Sequence, residues 1–149
     1  MTQASASTFV FGLAVAGRAV ATSLRERGIE VVVGDDKLTQ EHQTFAQSIG
    51  AHVVDIARDG ELQRVMSSVS VLSPAPGVAE NHGVIRSARE NGVSIQSEIE
   101  IAYRMELLRS DGPRPMVAIT GTDGKTTTTL MANAMLRSAG LRSEAVGNT

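Results

Sequence analysis

The feature that most constrains the fold of this 149-residue chain is the alternation of short β-branched runs with longer stretches of helical periodicity. Parallel strands need a crossover of a dozen or more residues between them, and that crossover is usually a helix. Alternation of this kind is therefore typical of βαβ units rather than of hairpins. The sequence predicts an α/β fold with a mainly parallel sheet.

The alternation divides the chain into seven predicted strands and six predicted helices. The predicted strands are Thr8–Phe11, Glu30–Val33, Ala51–Val54, Ser70–Leu72, Val93–Ile95, Met116–Ile119 and Glu144–Val146. The predicted helices run from the turn Gly12–Gly17 through about Arg27, and over Thr39–Ser48, Glu61–Met66, Asn81–Glu90, Glu98–Leu108 and Thr126–Ala139. Ser110–Pro115 is dense in turn-forming residues, so we expect a domain boundary there.

Composition excludes several classes of protein. The chain has no cysteine, which excludes a disulfide framework and a thiolate metal site. A net charge of -2 without a long basic run argues against nucleic-acid binding. No apolar stretch approaches the ~20 residues that span a bilayer, and the N-terminus lacks the pattern of a signal peptide. We therefore expect no membrane segment and a cytoplasmic location.

A glycine-containing loop between a predicted strand and a predicted helix carries the strongest chemical signal. Ile119–Thr127 reads I-T-G-T-D-G-K-T-T, and its glycines let backbone N–H groups turn towards phosphate oxygens. Lys125 would reach the outer phosphates, and the Thr126 hydroxyl would ligate Mg²⁺. The loop is a shortened variant, because Ile119 stands where the longer form has its first glycine. The alternative is an ordinary turn with an incidental lysine.

A second signal follows the first predicted strand. Gly12, Ala14 and Gly17 have the spacing of a dinucleotide-binding turn, and Asp35 ends the second predicted strand, where an acid binds ribose hydroxyls. Ala14 replaces the middle glycine, which weakens the case for NAD. A structural turn, a site for another nucleotide diphosphate, and an NAD(P) site all remain open.

Other polar residues are interpreted as ordinary structure. His42, His52 and His82 share no metal-ligand spacing, so we interpret them as surface or packing residues. Glu98 and Glu100 follow the predicted N-cap Ser97, where acids complement the helix dipole.

These motifs together resemble the Mur ligase family. The resemblance rests on the Rossmann-like start, on Ala75–Val78 after the fourth strand, on Ser97–Glu100, and on the loop I-T-G-T-D-G-K-T-T-T-T. Ala75–Val78 and Ser97–Glu100 look most like the branch that adds D-glutamate. Asp123 departs from the pattern, because members usually have His or Asn at that position.

The resemblance implies a domain order and a set of site residues. Residues 1–111 would be a Rossmann-like UDP-substrate-binding domain, and residues 112–149 the first β-α-β portion of an incomplete P-loop ATPase domain. The residues implied for ATP are Gly121, Thr122, Asp123, Gly124, Lys125, Thr126 and Thr127, with Lys125 also catalytic and Thr126 on Mg²⁺. The residues implied for the UDP-sugar are Leu13, Ala14, Val15, Ala16 and Gly17 at the diphosphate, Asp35, Asp36 and Lys37 near the uridine, and Gly77 and Asn148.

The resemblance also implies an activity. Members join an amino acid to a UDP-muramoyl substrate through an acyl phosphate, using ATP and Mg²⁺ in peptidoglycan synthesis. The expected substrates are UDP-N-acetylmuramoyl-L-alanine and D-glutamate, and the expected oligomeric state is a monomer. We expect the chain to be an N-terminal fragment that is inactive alone, because further family site residues would lie beyond Thr149. The alternatives are a stand-alone nucleotide-binding module and another family member.

Overall fold

The structure is a computed structural model that describes residues 7–147. The chain divides into two compact units, Met1–Gly112 and Pro113–Thr149. The first unit alternates strands and helices, in the order β1 Thr8–Phe11, α1 Val15–Glu26, β2 Val31–Gly34, α2 Gln40–Ile49, β3 His52–Val53, α3 Glu61–Ser68, β4 Val71–Pro74, α4 Gly83–Glu90, β5 Ser94–Ile95 and α5 Glu98–Leu107. Among the described residues, no helix combines the length and apolar character needed to cross a membrane.

The five strands form one sheet in the order β3-β2-β1-β4-β5, and every pairing is parallel. β1 lies at the centre, where Thr8 is in register with Val31 on one side and Val71 on the other. The predicted α/β fold with a parallel sheet is therefore confirmed.

Alternate residues of each strand point to opposite faces of the sheet, so each face presents apolar side chains. Helices cover both faces. Phe9 and Phe11 pack on one face with residues of α3 and α4. Val10 packs on the other face with residues of α1, α2 and α5. All four residues of β1 are buried, and three of them, Phe9–Phe11, are apolar, as expected of a strand that is covered on both faces.

Several element boundaries differ from the prediction, and two of these differences shape the carboxyl edge of the sheet. Helix α1 begins at Val15, so the turn is limited to Gly12–Ala14 and Gly17 lies in the first turn of the helix. Strand β4 extends to Pro74 rather than ending at Leu72. A proline at the end of a strand removes only its own donor, and the Ala75 N–H continues the ladder by donating to the Phe11 carbonyl at 2.7 Å.

The second unit contains the helix α6, Lys125–Ser138. The predicted strands Met116–Ile119 and Glu144–Val146 are wrong, because neither segment pairs with a strand within the described residues. Val117 and Val146 are both largely exposed. A β-branched sequence becomes a strand only when it pairs and packs, and within residues 113–147 these two segments do neither.

Candidate functional site

The predicted site residues of the first unit lie at the carboxyl ends of β1, β2 and β4. The chain passes from β1 to β2 and β3 on one side of the sheet, and then returns to β4 and β5 on the other. The strand order therefore reverses between β1 and β4. In open parallel sheets, ligands bind in the crevice outside the strand ends at such a switch point.

Two glycines fix the path of the chain after β1. Gly12 has a φ of +93°, and a Cβ there would lie 2.7 Å from the Ala75 Cβ in the loop after β4. A Cβ on Gly17 would overlap the Gly12 carbonyl oxygen. Both positions therefore require glycine, the first for its backbone angle and the second for the close approach of α1 to the end of β1.

Ala14, the residue at the position of the missing middle glycine, is the N-cap of α1. Its backbone is extended, with φ -77° and ψ -167°, so it needs no glycine. It provides no side-chain cap, and the first turn of α1 contains no acidic residue. The first N–H groups of a helix have no acceptor within the helix and carry its partial positive charge. The N-terminus of α1 therefore suits an anion such as a diphosphate.

Side chains hold both polar groups of the Leu13 backbone. The Leu13 N–H donates to Asp35 Oδ2 at 2.7 Å, and its carbonyl accepts from Arg18 Nε at 2.8 Å. Asp35 Oδ1 also accepts from the Lys37 N–H at 3.2 Å. Asp35 thus connects the turn after β1 to the turn after β2, and each of its oxygens still has a lone pair for a ligand hydroxyl.

Arg18 is held in turn by helix α2. Its guanidinium lies 2.7 Å from Glu41 Oε1 and 5.2 Å from the centroid of the Phe45 ring. Arg18 is not among the site residues predicted from the sequence. A cation near a helix N-terminus is electrostatically unfavourable unless it has a specific partner. An arginine in the first turn of a predicted helix is therefore the sequence feature that could have indicated its role.

Of the remaining predicted residues at this edge, Lys37 joins the network only through its backbone N–H. Ala14, Val15, Asp36, Lys37 and Gly77 are exposed. Asp36 Oδ1 is 3.1 Å from His82 Nε2, so His82 is part of this edge rather than an isolated surface residue. Asn148 lies outside the described residues.

The second unit presents its own glycine-containing turn at the start of α6. Gly124 is the N-cap with a φ of +74° and, like Ala14, gives no side-chain cap. Lys125 Nζ donates to the carbonyls of Gly121 and Thr122, at 2.5 and 3.0 Å. The loop residues Gly121–Thr127 are exposed. An uncapped helix N-terminus with a lysine beside it fits a polyphosphate, and the Thr126 hydroxyl in that first turn is a hard oxygen donor of the kind Mg²⁺ takes.

No family model matches the chain. Among curated proteins, a UDP-N-acetylmuramoylalanine–D-glutamate ligase from Streptomyces coelicolor is 34% identical over 142 residues, which cover 93% of this chain and 29% of that protein. The corresponding protein from Tropheryma whipplei is 36% identical over 142 residues, or 95% and 28% of the two chains. That from Bacillus thuringiensis is 33% identical over 129 residues, or 86% and 27%. The chain thus spans under a third of the length of these relatives.

Solved structures show the same fold. A murein peptide ligase from Psychrobacter arcticus matches with a TM-score of 0.59 at 21% identity, over 91% of this chain and 27% of that one. A pseudomurein peptide ligase type C from Methanothermus fervidus matches with a TM-score of 0.56 at 24% identity, over 97% and 28%. Over nearly its whole length, this chain is therefore similar to these D-glutamate ligases, and it shares the fold of the solved peptide ligases.

Proposed function

We propose that the first unit binds UDP-N-acetylmuramoyl-L-alanine at the carboxyl edge of its sheet. The observation that carries this proposal is the N-terminus of α1, which has no side-chain cap. It lies beside Leu13, whose backbone N–H and carbonyl are both hydrogen-bonded by side chains. A helix N-terminus attracts a diphosphate, and a turn fixed before binding loses little entropy when the ligand arrives. The uridine, the muramoyl sugar and the alanine of the proposed substrate are taken from the names of the curated relatives.

Within this site, the turn Leu13–Gly17 would lie along the diphosphate, and Asp35, Asp36 and Lys37 would lie near the uridine. Gly77 and Asn148 complete the proposed substrate residues. Because Asp35 already bonds two backbone N–H groups, its proposed role is to organise the crevice as well as to accept a ligand hydroxyl.

For the second unit, we propose that Gly121–Thr127 binds the phosphates of ATP. Lys125 would leave its carbonyl partners and neutralise charge on the outer phosphates, while the first N–H groups of α6 bind phosphate oxygens. Thr126 would hold Mg²⁺, which supplies charge neutralisation when bound.

The proposed overall reaction is the ATP-dependent addition of D-glutamate, the amino acid in the relatives' names. A carboxylate oxygen of the UDP-muramoyl substrate attacks the γ-phosphorus of ATP, and ADP leaves. The D-glutamate amine then attacks the acyl carbon of the acyl phosphate, inorganic phosphate leaves, and the nitrogen loses a proton. Both substrates are water-soluble, and we propose that the reaction takes place in the cytoplasm, in peptidoglycan synthesis.

Backbone amide shifts in the isotope-labelled chain test both site assignments together. We expect UDP-N-acetylmuramoyl-L-alanine to shift the amides of Leu13, Asp35 and Lys37, and ATP with Mg²⁺ to shift those of residues 121–127. Adding one ligand should leave the other set of shifts in place. Shifts from the UDP ligand that are confined to the second unit, or displacement of that ligand by ATP, would contradict the proposal.

A further inference from the structure

His82 connects two loops that lie on opposite sides of β1. Asp36 follows β2, and His82 is the N-cap of α4 in the segment after β4. Strands β2 and β4 both pair with β1, so they are about 10 Å apart at the usual strand spacing. The 3.1 Å contact between His82 Nε2 and Asp36 Oδ1 therefore crosses the end of β1, at the switch point.

The imidazole of His82 is fixed on three sides. Its Nδ1 accepts from the Val84 N–H at 3.2 Å, so the ring proton lies on Nε2, which donates to Asp36. The ring centroid lies 5.2 Å from that of Phe11, the last residue of β1. Phe11 is 1% exposed, whereas the His82 side chain retains 26% of its accessible surface. The imidazole therefore packs on the core from the solvent side.

We propose that His82 is a positioning residue of the UDP-substrate site. By holding Asp36, it fixes the turn Asp35–Lys37 relative to the loop after β4, so that the ligand meets a crevice of set width. Without the contact between His82 and Asp36, the ligand would have to order this turn when it binds. The entropy lost in that ordering would lower the affinity. This inference rests on the function proposed above for the same site.

The variant His82→Asn separates positioning from folding. Asparagine is a good N-cap and places an amide oxygen near the position of Nδ1, so it keeps the bond to Val84. It is too short to reach Asp36. The matched control is His52→Asn, the same change at an exposed position in β3.

The measurement is the dissociation constant of UDP for the 149-residue chain, by calorimetry, together with the melting temperature. We expect His82→Asn to weaken UDP binding about tenfold at a nearly unchanged melting temperature, and His52→Asn to change neither. In an Asp36→Ala background, His82→Asn should weaken binding no further. Without ligand, the Lys37 amide should exchange with solvent faster in His82→Asn than in the unsubstituted chain.

Three results would overturn the inference. One is unchanged UDP affinity and amide exchange in His82→Asn. Another is an equal loss of affinity with and without Asp36, which would mean that His82 acts independently of it. The third is tighter binding, which would mean that the contact obstructs the site. If the unsubstituted chain does not bind UDP, the proposed function itself fails, and the inference fails with it.

Discussion

The sequence predicts Asp35 as a site residue, but it does not predict the main contacts of its side chain. Its position at the end of β2 predicted a ligand-binding acid, and the structure has its two oxygens accepting from the N–H groups of Leu13 and Lys37. Those partners lie 22 and 2 positions away in sequence, and only the parallel pairing of β1 with β2 brings the first of them close.

Replacing Asp35 should therefore cost stability as well as affinity. We expect Asp35→Ala to lower the free energy of unfolding by about 2 kcal/mol, because it leaves the part-buried Leu13 N–H without its charged acceptor. Denaturant titration measures this change. The control Asp59→Ala removes an exposed carboxylate and should stay within about 0.5 kcal/mol of the unsubstituted chain. Equal stability of the two variants would contradict the role assigned to Asp35.

Gly17 offers a sharper test of the turn geometry. In a helix interior, alanine is more favourable than glycine by about 1 kcal/mol. At Gly17, however, the added Cβ would overlap the Gly12 carbonyl oxygen. We expect Gly17→Ala to destabilise the chain by about 2 kcal/mol or more and to weaken UDP binding. Gly83 is the matched control, since it lies in the first turn of α4 with no atom within 4 Å of its hypothetical Cβ. Gly83→Ala should leave the free energy of unfolding unchanged or raise it slightly. The same result for Gly17→Ala would contradict the close approach of α1 to the Gly12 carbonyl.

At the scale of elements, capping and periodicity predicted the helices better than propensity predicted the strands. Ser97, the predicted N-cap, accepts from the Glu100 N–H, whereas Thr39, predicted as the first residue of its helix, is the N-cap of α2 and accepts from the His42 N–H. These signals are local, so sequence alone contains them. The strands predicted over Met116–Ile119 and Glu144–Val146 depended on partners that residues 113–147 do not provide.

The start of α6 should bind polyphosphate through its lysine. We expect tripolyphosphate to shift the amides of Lys125 and Thr126 in a titration of the labelled chain, and Lys125→Met to weaken that binding at least tenfold. Arg137→Met removes the same charge from the last turn of the same helix and should leave the titration unchanged. Equal losses in the two variants would mean that net charge, rather than the loop, attracts the anion.

At the scale of the whole molecule, the sequence was sufficient for the α/β class and the parallel sheet, because the βαβ pattern admits few arrangements. It was not sufficient for the contacts that join distant segments at the carboxyl edge. Arg18 meets Leu13 and Glu41, and His82 meets Asp36 across 46 positions of sequence. Such pairs depend on loop conformation, which has no periodic signature in one sequence.

The 149-residue chain should bind substrate without completing the reaction. Phosphoryl transfer requires the nucleophile, metal and phosphates to be held together, and this chain spans 27–29% of the length of its curated ligase relatives. We expect no phosphate release above a control without enzyme when ATP, Mg²⁺, D-glutamate and UDP-N-acetylmuramoyl-L-alanine are supplied. Sustained release that depends on the UDP substrate would contradict this expectation and would show that the 149 residues suffice for the reaction.

The central claim is that the carboxyl edge of the first unit is a UDP-substrate site rather than a dinucleotide site. Calorimetric titration of the 149-residue chain with UDP-N-acetylmuramoyl-L-alanine and, separately, with NAD tests this claim most directly. We predict that the UDP ligand binds more tightly than NAD, and that Asp35→Ala weakens its binding. Tighter binding of NAD would contradict the account and identify the site as a dinucleotide site.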